Sequence, residues 1–486
     1  MSDRLPILSP DSKVGVPLTA AQLHPRIGVP DGASMVPRTP LFRSVIGALA
    51  GLAAATVTVG AAHAQVTFYT SSGGLSLEPP SLYTGRPDLF DRPGRGDEAL
   101  PIGNWLVYPS LFAGGIFATN PGENPTGGRA SPGLRLTTNS YAETDDGIKK
   151  TVLYSNSDAE LYANPGSTTT GTSANNLSTR TGAIETYVPF SDLVFTAQAD
   201  FTRQENYFTP LGVTNNLASL NSTGVGVAPT ANPVPYNQLS GAGSVQKNFS
   251  DSFVIVSGSI VNLTYDRSTS PTSVAPSPNG VTYTGNGRVG YWFIPDLNGY
   301  LEASLDQRDY ATSALSSSGY RVVAGVGSDR VGLFRGELFA GYQAEIYDSA
   351  AIGTTAGPVF GGRGSYFPLP ELTINASLDE TIGASLLATT PNSPAGTSTK
   401  VSTFLTQVSY DLAPEWKATG RGGISLTTYG GNTRRDTAWT GGATVTYSVW
   451  RSFGITLDYQ HTTLSSTAPQ AGYTNDAVTL GVSYKY

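Results

Sequence analysis

The chain has 486 residues, of which 39% are apolar, 13% charged and 10% aromatic, with a formal net charge of −7 and no cysteine. Soluble domains average about 45–50% apolar and about 25% charged residues, and the shortfall here is filled by 56 glycines and by Ser, Thr and Asn. A disulfide scaffold, a Cys-ligated metal and thiol chemistry are excluded, disorder is excluded by 25 Tyr and 18 Phe, and no stretch after residue 64 has the apolar period of a helix.

Arg38 and Arg43 precede an uncharged, Ala- and Gly-rich run over residues 44–62, which ends in Ala62-His63-Ala64 followed by Gln65. A basic start, an apolar centre and a small-x-small site describe a secretory signal peptide cleaved between Ala64 and Gln65. A single membrane anchor is the alternative, because the run is just long enough to span a bilayer. Met35 is the only internal methionine. Residues 35–64 therefore make a signal of ordinary length, and residues 1–34 are a misread upstream start or an extended basic region. Removing residues 1–64 takes away five basic and three acidic residues and leaves 24 basic against 33 acidic, a net −9. That sign argues against a nucleic-acid partner.

Residues 65–102, with Pro79, Pro80, Pro87, Pro93 and Pro101, show no period and are expected to be an irregular periplasmic lead segment. From 103 to 486 the chain alternates between apolar and polar residues in runs of strand length. Tight turns separate the runs at Val188-Pro189-Phe190-Ser191-Asp192, Asn248-Phe249-Ser250-Asp251, Ile294-Pro295-Asp296-Leu297, Gly327-Ser328-Asp329-Arg330, Pro368-Leu369-Pro370-Glu371, Leu412-Ala413-Pro414-Glu415 and Val449-Trp450-Arg451-Ser452. Between them lie long, almost uncharged loops at residues 164–175, 208–237, 267–279, 389–399 and 465–473. Short turns at one end and long loops at the other are the asymmetry of an outer-membrane barrel. The expectation is an all-β, transmembrane, antiparallel up-and-down β-barrel of 16–18 strands, with 18 the direct count, short periplasmic turns and long extracellular loops. Runs near residues 133–162 and 252–266 alternate less clearly.

The alternation assigns faces. Val478, Leu480, Val482, Tyr484 and Tyr486 oppose Ala477, Thr479, Gly481, Ser483 and Lys485, and Leu301, Ala303 and Leu305 oppose Glu302, Ser304 and Asp306. The charged residues fall on the face opposite the apolar one, where lumenal water solvates them. Arg288, Glu302, Asp306, Arg321, Arg335, Glu337, Asp379, Lys417, Arg421 and Asp458 are thus the expected pore-lining set. Two outcomes stay open for them: a hydrated, weakly selective path, or charges that pair across the lumen and close it. Aromatic residues mark both ends of the strands, Tyr187, Tyr291, Phe293, Tyr366, Tyr410, Trp416, Tyr447, Phe453 and Tyr484 beside the turns and Tyr207, Tyr265, Tyr310, Tyr347 and Tyr429 beside the loops. Two outward belts at the bilayer interfaces are expected from them. The longest loop, residues 208–237, is the third external one and is expected to narrow the lumen.

The chain ends Thr479-Leu480-Gly481-Val482-Ser483-Tyr484-Lys485-Tyr486. This resembles the C-terminal signal by which barrels are recognised by the insertion machinery, with Thr479, Gly481, Tyr484 and Tyr486 at the key positions. The opening Asp91-Arg92-Pro93, then Gly103-Asn104-Trp105-Leu106-Val107-Tyr108-Pro109-Ser110-Leu111, resembles the "putative beta-barrel porin 2" family of proteobacterial outer-membrane proteins. The resemblance covers roughly residues 91–486. It departs at Phe117-Ala118-Thr119-Asn120, where the family carries an acidic pair before the Asn, so a ligand role for that pair has no counterpart in this chain. The resemblance implies a porin-like protein of the Gram-negative outer membrane, with relatives associated with exopolysaccharide export.

No catalytic constellation stands out. His461 is the only histidine beyond residue 64, with Thr462, Thr463 and Ser465 close in sequence, and it is expected as an ordinary rim residue. Asp145-Asp146-Gly147 is a turn with two solvated carboxylates, no metal cage is evident, and no cofactor is implied. The expected function is a non-enzymatic channel for passive diffusion of small hydrophilic solutes, in contact with outer-membrane lipid. The alternative is a component of exopolysaccharide export, or a structural barrel with a closed lumen.

Overall fold

In a computed structural model of the chain, the described residues are 99–122, 128–163, 175–206, 225–226, 234–265, 279–311, 313–385, 397–430, 433–467 and 472–486. The signal, anchor and cleavage-site readings, and residues 65–98 of the lead segment, lie outside them. Eighteen strands follow one another in chain order. They are β1 (Trp105–Ala118), β2 (Ser131–Asp145), β3 (Lys149–Tyr162), β4 (Asn176–Phe190), β5 (Leu193–Asn206) and β6 (Val234–Asn248). Next come β7 (Ser252–Tyr265), β8 (Gly280–Ile294), β9 (Leu297–Tyr310), β10 (Ser317–Val331), β11 (Phe334–Tyr347) and β12 (Thr354–Leu369). The last six are β13 (Leu372–Ser385), β14 (Thr397–Ala413), β15 (Trp416–Tyr429), β16 (Arg435–Trp450), β17 (Phe453–Ser466) and β18 (Tyr473–Lys485). Each pairs antiparallel with its neighbours, and β18 returns to β1 from Ser110 opposite Lys485 to Ala118 opposite Ala477. The sheet is a closed 18-stranded antiparallel barrel. Closure removes the free edge that hydrocarbon cannot solvate.

Side-chain direction follows from the two-residue period of a strand. Leu134, Leu301 and Leu338 are 66%, 58% and 66% exposed. Leu153, Phe195, Val289, Phe360, Trp439, Leu457 and Leu480 share that outer face. An apolar band around the whole circumference is far larger than a soluble monomer tolerates, and it fits a wall wetted by lipid. At the turn end the outer face carries Tyr187, Tyr291, Phe293, Tyr366, Tyr410, Trp416, Tyr447 and Phe453. These form one interfacial belt.

Six of the seven sequence-assigned tight turns fall where the strands reverse. The exception is Gly327–Arg330. There β10 continues to Val331 through a bulge after Ser328, and the chain reverses at Gly332-Leu333. Gly332 has φ 63°, a left-handed conformation that favours glycine and sets the turn four residues later than the Ser-Asp pair indicates. The lead segment also ends in order. Leu100–Ile102 folds back on Trp105–Val107 through Gly103 at φ 61°. The weakly alternating runs at 133–162 and 252–266 are β2–β3 and β7.

One stretch of wall is not continuous. Pairing between β12 and β13 runs from the turn only as far as Gly362 opposite Leu378, so residues 355–361 and 379–385 do not pair with each other. At the top of this seam Val225–Gly226, within the third external loop, pairs in parallel with Ala384 and Ser385. Residues 234–237 of the expected lumen-narrowing segment belong to β6, and the remainder lies outside the described residues.

Candidate functional site

The inner face of the wall carries the charged side chains, and the ion pairs run along the wall. Arg288 on β8 donates from Nε to Glu302 on β9 at 2.7 Å and from Nη1 to Glu337 on β11 at 3.1 Å. Glu337 also accepts from Tyr300 Oη at 3.1 Å and from Arg363 Nη2 on β12 at 3.2 Å. The Arg288 guanidinium lies 3.9 Å from the centroid of the Tyr300 ring. Arg321 on β10 stacks over Phe339 at 4.8 Å. Asp306 accepts from Arg308 Nε at 2.8 Å, and Arg308 Nη2 lies 3.2 Å from Glu345 on β11. Arg421 on β15 donates to Asp458 on β17 at 2.7 Å, and both touch Thr444. Arg335 and Asp379 share this inner face by strand parity, and Lys417 sits near the turn end, 3.9 Å from Asp411.

The same face holds charged residues that the sequence reasoning passed over. Arg135 pairs with Asp158 at 2.6 Å, and its Nε lies 3.5 Å from Glu160. Arg180 pairs with Asp200 at 3.0 Å. The signal was present: Arg135 sits between Leu134 and Leu136, and Asp158 and Glu160 alternate with Leu153 and Leu161. It was masked by Ser, Thr and Ala at neighbouring outward positions in β2 and β3.

The inner wall is not wholly polar. Phe253 and Ile255 on β7, Tyr300 on β9, Val323 on β10, Phe339 on β11 and Val359 on β12 form one buried apolar cluster, flanked by Val194 and Trp292. At the loop ends the second outward aromatic belt is overturned for the residues that can be placed. Tyr310, Tyr347 and Tyr429 are buried on the inner face, together with Tyr162 and Tyr473. For Tyr162 and Tyr429 the physical reason is pairing: Tyr162 donates to Glu160 at 3.0 Å and Tyr429 to Asp436 at 2.7 Å, partners that only the inner face offers. Tyr207 and the side chain of Tyr265 lie outside the described residues. Just above β16, burial opposes the charge of Arg434. Its hydrogen bonds to Asp436, together with the electrostatic pull of Tyr429 and Asp436, outweigh this and hold the guanidinium protonated more firmly than usual.

The closing junction is stapled from the loop side. Asn120 N–H donates to Asn475 Oδ1 at 2.9 Å and its side-chain amide to the Thr474 carbonyl at 3.2 Å. Thr119 N–H donates to the Asp476 carbonyl at 2.9 Å. At the other end Tyr484 lies opposite both Phe453 and Leu111, Thr479 and Gly481 lie on the inner face, and Tyr486 N–H reaches the Pro109 carbonyl at 3.3 Å. His461 points outward, and its Nδ1 lies 2.8 Å from Asp476, which also accepts from Tyr459 at 2.8 Å. Among the described residues no group of three or more His, Asp or Glu converges as a metal site.

No curated protein matches the chain. Among solved structures, a mutant ferric enterobactin receptor from Pseudomonas aeruginosa is 7% identical over 78% of this chain and 80% of its own, with a TM-score of 0.38. A siderophore receptor from Acinetobacter baumannii is 7% identical over 78% and 80%, with a TM-score of 0.38. An anion-selective porin from Comamonas acidovorans is 11% identical over 79% and 99%, with a TM-score of 0.34. The family described as "putative beta-barrel porin 2" matches residues 96–486, the whole of the closed barrel, and the chain belongs to that family of porin-like outer-membrane barrels.

Proposed function

We propose that the barrel is a non-enzymatic channel for passive diffusion of small hydrophilic solutes across the outer membrane. The observation that supports this reading is the direction of the ion pairs. Each one described above joins strands no more than three apart, whereas opposite walls of an 18-stranded barrel are nine apart. Charges paired along the wall neutralise one another without spanning the lumen, and barrels of this size enclose an aqueous channel. The mixed signs of Arg288, Glu302, Arg321, Glu337, Asp379, Arg421 and Asp458 favour weak ion selectivity, because strong selectivity is built from rings of one sign. Refolded protein in a planar bilayer should give discrete, ohmic conductance steps with little preference between K⁺ and Cl⁻. A silent bilayer with correctly folded protein would refute the reading.

A second reading, passage of a polysaccharide, is favoured by one observation: the five inward tyrosines Tyr162, Tyr310, Tyr347, Tyr429 and Tyr473 below the external mouth. Aromatic faces stack on sugars, although these rings are covered in this state. Block of the conductance by added oligosaccharide would favour it. We further infer that residues 35–64 are removed on secretion, with Gln65 the first residue of the mature chain, and that Thr479, Gly481, Tyr484 and Tyr486 are read by the insertion machinery. N-terminal sequencing of protein from outer membranes tests the first point.

A further inference from the structure

The parted seam between β12 and β13 is held by side chains where the rest of the wall is held by backbone pairs. Had the register continued, Phe360 would face Glu380 and Pro358 would face Ile382. Instead the Pro358 carbonyl accepts from Lys400 Nζ on β14 at 3.3 Å, and the Ile382 carbonyl accepts from Arg308 Nη1 on β9 at 3.3 Å. Strands β9 and β13 are four apart, about 19 Å along a regular wall, beyond an arginine's reach. The upper part of β13 therefore leans into the lumen, away from β12.

The seam is packed shut, with Val359 1% and Ile382 2% exposed, and two independent features converge on it. The first is a polar latch on the outer face of β13 and β14, where strand parity puts Glu380, Ser402 and Lys400 on the side of Phe404 and Tyr410. Lys400 lies 2.9 Å from Glu380, and Ser402 donates to Glu380 at 3.0 Å. Glu380 is only 4% exposed there, and an ionisable pair enclosed in a membrane-spanning wall is costly and rare and marks a site of function. The second is the lumenal apolar cluster of Phe253, Ile255, Tyr300, Val323, Phe339 and Val359. It crosses a wall otherwise rich in charge and ends at Val359, on the β12 lip of the seam. Phe360, beside it, is exposed on the lipid side.

We propose that the external half of the β12–β13 seam is a lateral portal between the lumen and the outer leaflet, which passes an amphipathic molecule with an acyl tail and an anionic head. The tail follows the apolar cluster to Val359. The head draws Arg308 and Lys400 from the Ile382 and Pro358 carbonyls, because an ionised acceptor binds a cation roughly twice as strongly as a neutral one. Loss of those two contacts frees the lips of the seam.

The chain has no cysteine, so a single introduced thiol reports access from the bilayer. Val359→Cys sits on the lumenal face at the seam. Ile184→Cys sits on the same face in β4, where both neighbouring strands are fully paired. In lipid vesicles holding N-hexadecylmaleimide, Val359→Cys should be alkylated about tenfold faster or more than Ile184→Cys, since the rate follows the population of the locally opened wall. Lys400→Met should raise the Val359→Cys rate further. Hexadecanoate should protect Val359→Cys, and hexadecyltrimethylammonium should not. Thr381→Cys, on the β13 lip, is a second reporter should Val359→Cys fail to show the heat-modifiable mobility of a folded barrel. Equal rates at the seam and at Ile184→Cys would overturn the portal. Protection by the cationic amphiphile alone would overturn the anionic head. Neither readout needs the barrel to conduct ions, so a failed channel reading is distinguished from a failed portal.

Discussion

Glu337→Leu tests whether the lumenal charge network is dry or hydrated. The Glu337 carboxylate is 2% exposed and takes hydrogen bonds from Arg288, Tyr300 and Arg363 at 3.1, 3.1 and 3.2 Å. Removing one member of a buried pair costs about 3–5 kcal/mol. Loss of the Tyr300 bond adds about 1 kcal/mol, and the buried leucine returns about 2 kcal/mol. Arg288 keeps Glu302 at 2.6 Å, which limits the charge left uncompensated, so a net loss of about 3 kcal/mol is expected. Arg363→Met in the same chain removes one charge of the opposite sign and leaves Arg288 and Glu302 matched. The double variant should then be more stable than the two single losses added, by about 1 kcal/mol or more. The assay is urea unfolding in lipid vesicles followed by tryptophan fluorescence. A Glu337→Leu cost below about 1 kcal/mol with no coupling would show that water solvates these groups as it does surface pairs, and the buried network would be refuted.

Other perturbations follow from single features. Gly341→Ala places a Cβ against the Val322 carbonyl on the adjacent strand and should cost about 1–3 kcal/mol, as overpacking does, measured by the same urea assay. At the first turn the backbone N–H groups of Lys149 and Ile148 donate to Asp146 at 2.7 and 3.0 Å and hold its carboxyl below the usual range. Its small contribution is present above the unfolded carboxylate's pKa and is lost as pH falls through the lowered folded value. A slight urea-midpoint deficit of Asp146→Ala at neutral pH should therefore vanish on acidification, and a deficit that persists would contradict that origin. Tyr484→Ala with Tyr486→Ala should lower the folded fraction in outer membranes several-fold while the same chain still refolds in detergent. Equal loss in both would mean stability, not recognition by the insertion machinery.

The number of strands, their faces and most turns could be read from the chain because each is a local property. Period-two alternation is enforced residue by residue by lipid on one side and a polar interior on the other, as in Leu457 against Asp458. Prolines at 295, 370 and 414 fix reversals without reference to the rest of the barrel. Tyr310, Tyr347 and Tyr429 defeated the same logic, since a tyrosine suits an interface or a carboxylate equally well. For Tyr429 the direction follows Asp436, which the register of the neighbouring strand brings near. The turn at Gly332 was likewise hidden, because a bulge consumed residues with turn chemistry.

Which charges pair, and where the wall parts, was decided by tertiary structure alone. Arg288 meets Glu337 across 49 residues of chain and Arg308 meets the Ile382 carbonyl across 74, separations over which no local pattern carries information. Those contacts arise from the relative heights and tilts of strands that only the closed sheet imposes. The amino-acid order specified a cylinder with a charged inner wall, and the folding of that cylinder chose the partners.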